Sequence, residues 1–406
     1  MSNLSKFFIV LLLLAAGAGG FFLTRKPDPY TAFLEETYDT IQTNYWQKIE
    51  DQALINLYLN AARIVTKQPQ LVSAKDKKDL FNQLGKIIKD ETTAATIADA
   101  ILANLPPAGK SRLYTQKLAA DLANTVANVN PEVNHYQELN LPQDASPDQI
   151  AAAYQTKSAT ATAQQKQKLD TAYQALKDTT TRKIYDQTGA DPTLPYQILT
   201  DKIYYIAIQK FSPTTIQELT AAVNASNQYP NLNTLILDLQ DNIGGAIDGL
   251  PYFLGPFIGE DQYAYQFLQQ GEKEDFKTKT GWLPELVKFK KVVVLINDQT
   301  QSSAEVMASV LKKYHVGVLV GTTTKGWGTV EKVFSLEHQL NDKQTYSVFL
   351  VHHLTLREDG QPIEGQGVNP DVDINQSNWR QQLNAYFNSP ELIMAIDNLV
   401  TKVRPL

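Results

Sequence analysis

Two continuous apolar runs constrain the fold more than any other feature of the chain. They are "LNTLILDLQ" at 232–240 and "KKVVVLIND" at 290–298. Runs of this length and character are typical of strands that are buried on both faces of a sheet. Helical patterns alternate with them, namely "SPTTIQELTAAVNASN" before the first run and "SSAEVMASVLKKY" after the second. Alternating strands and helices predict βαβ crossovers, so we expect an α/β core with a mixed sheet.

Composition excludes several classes of protein and site. The 406 residues are enough for two or three domains. The net charge of -6 argues against a nucleic-acid partner, because such proteins usually carry a basic surface. The chain has no cysteine, which excludes a disulfide framework, a zinc–thiolate site and a cysteine nucleophile. No spacing of Asp or His suggests a metal site, and we expect no cofactor.

The amino-terminal residues 1–26 are predicted to be a signal peptide or a membrane anchor. Phe7–Leu23 is an uncharged stretch that spans roughly 25 Å as a helix, against about 30 Å for a bilayer core. The small residues at 16–18 favour cleavage of a signal peptide. The apolar residues after them, followed by Arg25 and Lys26, favour an anchor. We expect the rest of the chain outside the cytoplasm, either anchored or secreted, although the basic residues do not fix an orientation.

The remainder divides into four regions by sequence pattern. Residues 27–130 show apolar residues at three- and four-residue spacing, which predicts a helical subdomain. Residues 131–192 form a second helical unit. Residues 193–378 carry the α/β pattern, and residues 379–406 are predicted to be carboxyl-terminal helices.

The second helical unit has an ordered set of motifs. "YQELNL", "ASPDQIAAAYQ" and "LDTAYQALKDTTTRKIYDQTG" follow one another, and Ser146 with Gln149 forms the pattern of a capping box. This unit resembles a J-domain, although a generic small helical bundle is an alternative. The interval "TKSATATAQQ" lacks the His-Pro-Asp tripeptide with which J-domains stimulate their partner, so we expect no chaperone ATPase as a partner.

Candidate chemistry lies at three strand ends of the α/β region. "LILDLQDNIGG" ends in Gly244 and Gly245, whose backbone N–H groups could form an oxyanion hole. "VVVLINDQTQSSAEVMA" places Ser302 and Ser303 at a helix start, where a serine is either an N-cap or a nucleophile near the positive end of the helix dipole. The third piece is "TTTKGWGTVEK" at 322–332.

With "IEGQGVNPDVDI" at 363–374, these pieces resemble the C-terminal processing peptidases, also called tail-specific proteases. The family motifs are "LILDLRxNxGG", "VLVNxxSASASE", "VVGExTFGKGxVQ" and "GxGxxPD", in this order. The resemblance covers roughly 195–375. It implies a crotonase-like or ClpP-like fold, a serine nucleophile with a lysine base, and a protein or peptide substrate with a free carboxyl terminus.

The resemblance assigns roles to particular residues. Ser302 falls at the nucleophile, and the oxyanion N–H groups would come from Ser303 and from Gly244 or Gly245. The glutamine at Gln240 replaces the family's arginine before the glycine turn.

The base position departs from the family pattern. An ungapped alignment puts Trp327 at the lysine, Lys325 at the phenylalanine and Glu331 at the glutamine. An indole N–H is a donor only and cannot take the serine proton. Lys325 and Trp327 share a face of an extended strand roughly 6.6 Å apart at ~3.3 Å per residue, so Lys325 could reach Ser302 instead.

Two functions therefore remain open. The first is a membrane-anchored serine endopeptidase that acts on protein or peptide carboxyl termini through Ser302 and Lys325. The second is a catalytically inactive relative that binds peptides or scaffolds an assembly at the membrane.

Two further expectations concern a histidine pair and the helical unit. His352 and His353 should project to opposite faces of a strand, and a catalytic histidine is disfavoured. The family usually carries a PDZ domain between its helical and catalytic parts. No PDZ-like run of strands occurs at 129–195, so the J-like helices are expected to replace it.

Overall fold

A computed structural model describes residues 28–357 and 359–401 of the chain. The predicted anchor or signal segment, Phe7–Leu23, lies outside the described residues. Within the described ranges, none of the helices combines the length and the apolar character needed to cross a bilayer.

Helices dominate the first half of the chain, and strands alternate with helices in the second half. The first-half elements are α1 (Pro29–Asn44), α2 (Asp51–Thr66), α3 (Lys77–Ile87), α4 (Glu91–Ala103), β1 (Arg112–Thr115), α5 (Gln116–Ala127), α6 (His135–Glu138), α7 (Pro147–Ser158), α8 (Ala163–Leu176) and α9 (Thr179–Thr188). The second-half elements are β2 (Tyr196–Ile198), β3 (Ile203–Ala207), α10 (Thr215–Ala225), β4 (Thr234–Asp238), α11 (Leu250–Ile258), β5 (Tyr263–Gln269), β6 (Glu272–Lys277), β7 (Lys291–Ile296), α12 (Ser303–Lys313), β8 (Val318–Gly321), β9 (Thr329–Ser335), β10 (Tyr346–Leu356), β11 (Val372–Asp373), α13 (Trp379–Phe387) and α14 (Pro390–Thr401).

The chain divides into two compact units. The first contains the described residues up to Asn44, together with Ile49–Gln116 and Val333–Leu350. The second contains Tyr45–Lys48, Lys117–Lys332 and the residues from Val351 onward. The candidate site residues at 244–245, 302–303 and 325–331 all belong to the second unit.

The first unit is built on α1 to α4, as the helical pattern of the sequence predicts. Tyr38, Tyr58 and Phe81 form an aromatic cluster, with ring centroids 5.3–5.8 Å apart. The hydroxyl of Tyr58 donates to the backbone oxygen of Leu34 at 3.1 Å, so this fully buried ring keeps a hydrogen-bond partner. The apolar residues recur at three- and four-residue spacing because this spacing places them on the buried face of each helix.

A short strand interrupts the predicted helical region. β1 pairs antiparallel with β10, with Arg112 opposite Phe349 and Thr115 opposite Tyr346. Asp99 on α4 accepts two hydrogen bonds from the guanidinium of Arg112 at 2.8 Å and a third from the backbone N–H of Leu113. The sequence pattern missed this strand because four residues are too few to show an alternation.

The second unit contains a six-stranded sheet in the order β11-β8-β7-β4-β3-β2. The β3–β4, β4–β7, β7–β8 and β8–β11 pairs are parallel, and β2 pairs antiparallel with β3. The predicted mixed α/β sheet is therefore confirmed. Both apolar runs lie in its centre, as β4 and β7.

Alternate side chains of the central strands feed two separate cores. One face packs Leu235, Leu237 and Val294 against α10, α11 and α12. The other face packs Ile236, Val293 and Leu295 against α13 and α14. Because helices cover both faces, these strands lack the polar alternation of a one-sided sheet.

The helical unit predicted at 131–192 consists of α6 to α9. Ser146 accepts from the N–H of Gln149, whose side chain accepts from the N–H of Ser146, so the predicted capping box is formed. A small core holds the helices together and contains Tyr136, Leu139, Ile150, Leu169, Ala172 and Leu176. The two ends of the unit meet at an antiparallel bridge between Val129 and Ala190. Its relation to J-domains stays a prediction.

The carboxyl-terminal helices give a direct test of this architecture. Leu383 on α13 is fully buried against the sheet, whereas Tyr386 on the same helix is 58% exposed. We expect Leu383→Ala to lower the free energy of unfolding by about 2–5 kcal/mol, because the cavity it leaves cannot fully collapse. Tyr386→Ala is the matched control and should change it by less than about 0.5 kcal/mol. Urea denaturation followed by far-UV circular dichroism measures both, and equal effects would contradict the packing of α13.

Candidate functional site

Three loops that follow parallel strands lie side by side at the carboxyl ends of those strands. They come after β4, β7 and β8, whose registers place Asp238 opposite Leu295 and Ile296 opposite Gly321. The carboxyl ends of parallel strands are where α/β proteins build their sites. The three candidate pieces of sequence thus meet in space.

Hydrogen bonds join the three loops into one structure. The N–H of Gln301 donates to the backbone oxygen of Asn242 at 3.0 Å, and the hydroxyl of Thr300 donates to that of Leu239 at 2.8 Å. The N–H of Lys325 donates to the oxygen of Thr300 at 3.0 Å. This last bond fixes the backbone of Lys325 against Thr300, which precedes Ser302 by two residues in the sequence.

Ser302 has an unusual backbone conformation at the start of α12. Its φ is 58° and its ψ is -127°, and such a positive φ is strained for a residue with a side chain. Strain of this kind is typical of functional sites, including the sharp strand-to-helix turns that present a nucleophilic serine. The residue is half-buried, so its side chain retains some access to solvent.

The glycine turn lies directly against this serine. A Cβ added to Gly244 would lie 2.6 Å from the Cβ of Ser302, so no larger residue fits at this position. The N–H of Gly244 donates to Oδ1 of Asn242 at 2.8 Å. Within the described residues, the N–H groups of Gly245 and Ser303 have no hydrogen-bond partner. Of the predicted oxyanion donors, these two are therefore the ones that no described acceptor satisfies.

Glu305 connects the serine loop with the loop after β8. Its side chain is fully buried, and its carboxylate accepts from the N–H of Ser302 at 2.9 Å. It also accepts from the hydroxyl of Thr324 at 2.5 Å and from the N–H groups of Gly326 at 2.7 Å and Trp327 at 2.8 Å. Burial raises the pKa of Glu305, and these hydrogen bonds oppose that rise.

Sequence reasoning missed Glu305, although a signal was present. Ser302 and Glu305 have the S-x-x-E spacing of a capping box, which predicts that the N–H of Ser302 donates to the carboxylate of Glu305. That bond is formed. The pattern gave no reason to expect the three further donors, because they come from a segment about twenty residues later.

The fourth motif packs against the same loop. The N–H of Val368 donates to the hydroxyl of Thr324 at 2.7 Å, and the N–H of Gly365 donates to the oxygen of Gly326 at 2.9 Å. The carboxylate of Glu364 accepts from the N–H of Gly328 at 2.8 Å. All four motifs therefore contribute to one site.

Trp327 and Glu331, which the sequence resemblance aligns with the family's lysine and glutamine, contact each other. Nε1 of Trp327 donates to Oε1 of Glu331 at 3.3 Å, and the hydroxyl of Thr329 donates to the same oxygen at 2.5 Å. The indole is half-buried. The two departures from the family pattern thus form a donor–acceptor pair.

Lys325 is exposed, and its amine lies 5.5 Å from the centroid of the Trp327 ring, in a cation–π contact. Across the described ranges, this amine makes no hydrogen bond and no ion pair. The amine and Ser302 are therefore not hydrogen-bonded in this arrangement.

The histidine pair differs from the expectation. The ring centroids of His352 and His353 are 4.1 Å apart, so the two imidazoles contact each other instead of projecting to opposite faces. Both side chains find local partners: Gln269 donates to Nδ1 of His352 at 2.8 Å, and His353 stacks on Phe267. Burial, helped by His352 and Lys332, lowers the pKa of His353 to about 4. Neither imidazole is hydrogen-bonded to Ser302 in the described part of the chain.

No group of acidic residues and histidines in residues 28–357 and 359–401 is arranged to hold a metal ion.

Comparison with known proteins agrees with this arrangement. Residues 202–374 match the model of peptidase family S41. The chain is 34% identical over 168 residues to the carboxy-terminal processing protease CtpA of Bacillus subtilis, covering 41% of this chain and 34% of that protein. It is 30% identical over 179 residues to a probable CtpA-like serine protease of Staphylococcus epidermidis, covering 44% and 35%. The chain thus spans about a third of the length of these curated relatives.

A solved structure supports the fold. The photosystem II D1 C-terminal processing protease superposes with a TM-score of 0.51 at 15% identity, covering 86% of this chain and 93% of that one. The α/β architecture and the matched segment agree with the resemblance that the four motifs indicate. Residues 202–374 of this chain are therefore similar to peptidase family S41.

Proposed function

We propose that this chain is a serine-type endopeptidase that cleaves proteins or peptides at their carboxyl ends, with Ser302 as the nucleophile. One observation carries the proposal: the strained backbone of Ser302 lies against the glycine turn, beside the N–H groups of Gly245 and Ser303. The similarity to family S41 and the carboxy-terminal processing function named for a relative support this substrate class.

The reaction follows from these groups. The Oγ of Ser302 attacks the scissile carbonyl carbon and gives up its proton to a base. The carbonyl oxygen becomes an oxyanion, which the N–H groups of Gly245 and Ser303 stabilise. The base then protonates the leaving amine, and water hydrolyses the acyl-enzyme.

Lys325 is our candidate for the base. Its backbone is fixed beside Thr300, and its flexible stem carries an amine that forms no hydrogen bond or ion pair with a described residue. A lysine base must be neutral to accept a proton, which requires burial or a nearby positive charge. Substrate that covers the exposed Lys325 would supply the burial.

A second function is favoured by a different observation. The indole of Trp327 occupies the family's lysine position and donates to Glu331, so no proton acceptor for Ser302 is present at that position. A chain of this kind would bind peptides, or scaffold an assembly at the membrane, without cleaving them.

We further propose that the chain acts outside the cytoplasm, anchored through Phe7–Leu23 or secreted after its cleavage. The helical unit α6 to α9 takes the place of a PDZ domain in this proposal, and it gates the site or recruits a partner. A chaperone ATPase is not a partner that we expect, because the His-Pro-Asp tripeptide is missing.

The first test concerns the nucleophile. Ser302→Ala should abolish cleavage of unfolded protein substrates by residues 27–406, because no hydroxyl remains to form the acyl-enzyme. Ser377→Ala is the matched control, since this serine is exposed and lies outside the four motifs. Cleavage is followed by mass spectrometry of the products. Unchanged cleavage by Ser302→Ala would overturn the assignment.

The second test concerns the base. If Lys325 accepts the proton, Lys325→Ala should lower kcat by about 10²–10⁴-fold, because an effective general base contributes that much. Lys202→Ala controls for the loss of an exposed lysine, and its kcat should not change. Cleavage that survives Lys325→Ala would contradict this role.

The same experiment separates the two functions. A wild-type chain that binds peptides but does not cleave them, with cleavage gained in the double variant Trp327→Lys/Glu331→Gln, would establish the inactive relative instead.

The third test concerns α6 to α9. Removing residues 131–188 joins Asn130 to Gly189, which the Val129–Ala190 bridge makes geometrically simple. If these helices gate or recruit, peptide binding or processing should change by about tenfold, equivalent to roughly 1.4 kcal/mol. Fluorescence anisotropy measures binding, and circular dichroism confirms that the shortened chain is folded. No change in either property would sink the proposal.

A further inference from the structure

The carboxylate of Glu305 has two donors on each oxygen. Oε1 accepts from the hydroxyl of Thr324 and the N–H of Gly326. Oε2 accepts from the N–H groups of Ser302 and Trp327. Within the part of the chain that is described, Glu305 forms no ion pair, so hydrogen bonds alone compensate for the burial of this group.

We propose that Glu305 is a positioning residue that fixes the backbone of Ser302 and the turn 324–327 in one arrangement. The two segments have no acceptor in common other than this carboxylate among the hydrogen bonds described above. It accepts from the N–H of Ser302, whereas the next N–H along the chain, that of Ser303, has no acceptor among the described residues. As a statement about catalysis, this inference rests on the proposed function.

The geometry requires a carboxylate and not merely a side chain of the same size. A glutamine has one acceptor oxygen, and its NH₂ group would face two of the four donors whichever way the amide is turned. An aspartate keeps the charge and both acceptors on a shorter stem. We therefore expect Glu305→Asp to retain more of the arrangement than Glu305→Gln.

The chain offers a matched control in Glu218. This glutamate is 3% exposed in the same unit, and burial raises its pKa as it does that of Glu305. It also has four donors: the N–H groups of Thr193 and Leu194 and the hydroxyls of Thr193 and Thr214. Glu218→Gln therefore reproduces the loss of a buried acceptor without touching Ser302 or the turn.

The first readout is covalent labelling of Ser302 by a fluorophosphonate, together with kcat and KM for a peptide. Glu305→Gln should slow labelling by about 10²-fold and lower kcat to a similar extent, with KM changed by less than about twofold. Glu305→Asp should lie between it and the wild type. In Glu218→Gln, Ser302 of the folded molecules should be labelled at the wild-type rate, even if the substitution lowers the Tm. Labelling of Glu305→Gln at the wild-type rate would overturn the proposal.

The second readout does not need an active enzyme. Amide hydrogen exchange in Glu305→Gln should accelerate together at Ser302, Gly326 and Trp327 by about tenfold or more, while the sheet strands keep their protection. In Glu218→Gln these three amides should exchange as in the wild type. If the wild-type chain neither cleaves nor labels, the proposed function fails, and exchange alone decides the role of Glu305. Unchanged exchange at the three amides would overturn it.

Discussion

The buried carboxylate of Glu305 is the interaction on which the rest of the site depends. Moving a charged carboxylate out of water is costly, and only hydrogen bonds or an opposite charge can compensate for it. Glu305 has four donors, three of them backbone N–H or hydroxyl groups of the turn after β8. Any rearrangement of that turn would leave a buried charge with too few partners. The turn and the serine loop are therefore held in the same conformation.

The sheet explains why these groups can meet at all. Parallel strands end at one edge, so the loops after β4, β7 and β8 are neighbours although they are far apart in sequence. Polar side chains in these loops then donate to backbone oxygens that the strands leave unpaired at their ends. The hydroxyl of Thr300 donates to the oxygen of Leu239, and the amide of Asn242 donates to the oxygen of Ile208. The strain at Ser302 persists because both of its neighbours are held: the N–H of Gln301 donates to the oxygen of Asn242, and the hydroxyl of Ser303 donates to the oxygen of Gly245.

The sequence alone was sufficient for the central α/β architecture of the second unit. Continuous apolar runs predicted the central strands because both of their faces are buried, and the glycine and serine motifs predicted which loops meet. The short strand β1 was missed because its four residues carry no periodic signal. The prediction that His352 and His353 project to opposite faces was wrong. The alternation rule fixes the directions of the Cβ atoms, but it does not fix the orientation of the imidazole rings. Glu305 could be read only as a helix cap, since its other donors depend on the tertiary fold.

The pair formed by Trp327 and Glu331 bears on how the site departs from the family motif that it resembles. A glutamate beside a lysine would stabilise the ammonium, raise the lysine's pKa and oppose its action as a base. Beside an indole, the same glutamate accepts a hydrogen bond from a group that can only donate. The carboxylate of Glu331 is therefore a favourable neighbour for Trp327, whereas it would oppose the action of a lysine base at position 327. The two departures are chemically consistent with each other, and the indole of the pair cannot accept the proton of Ser302.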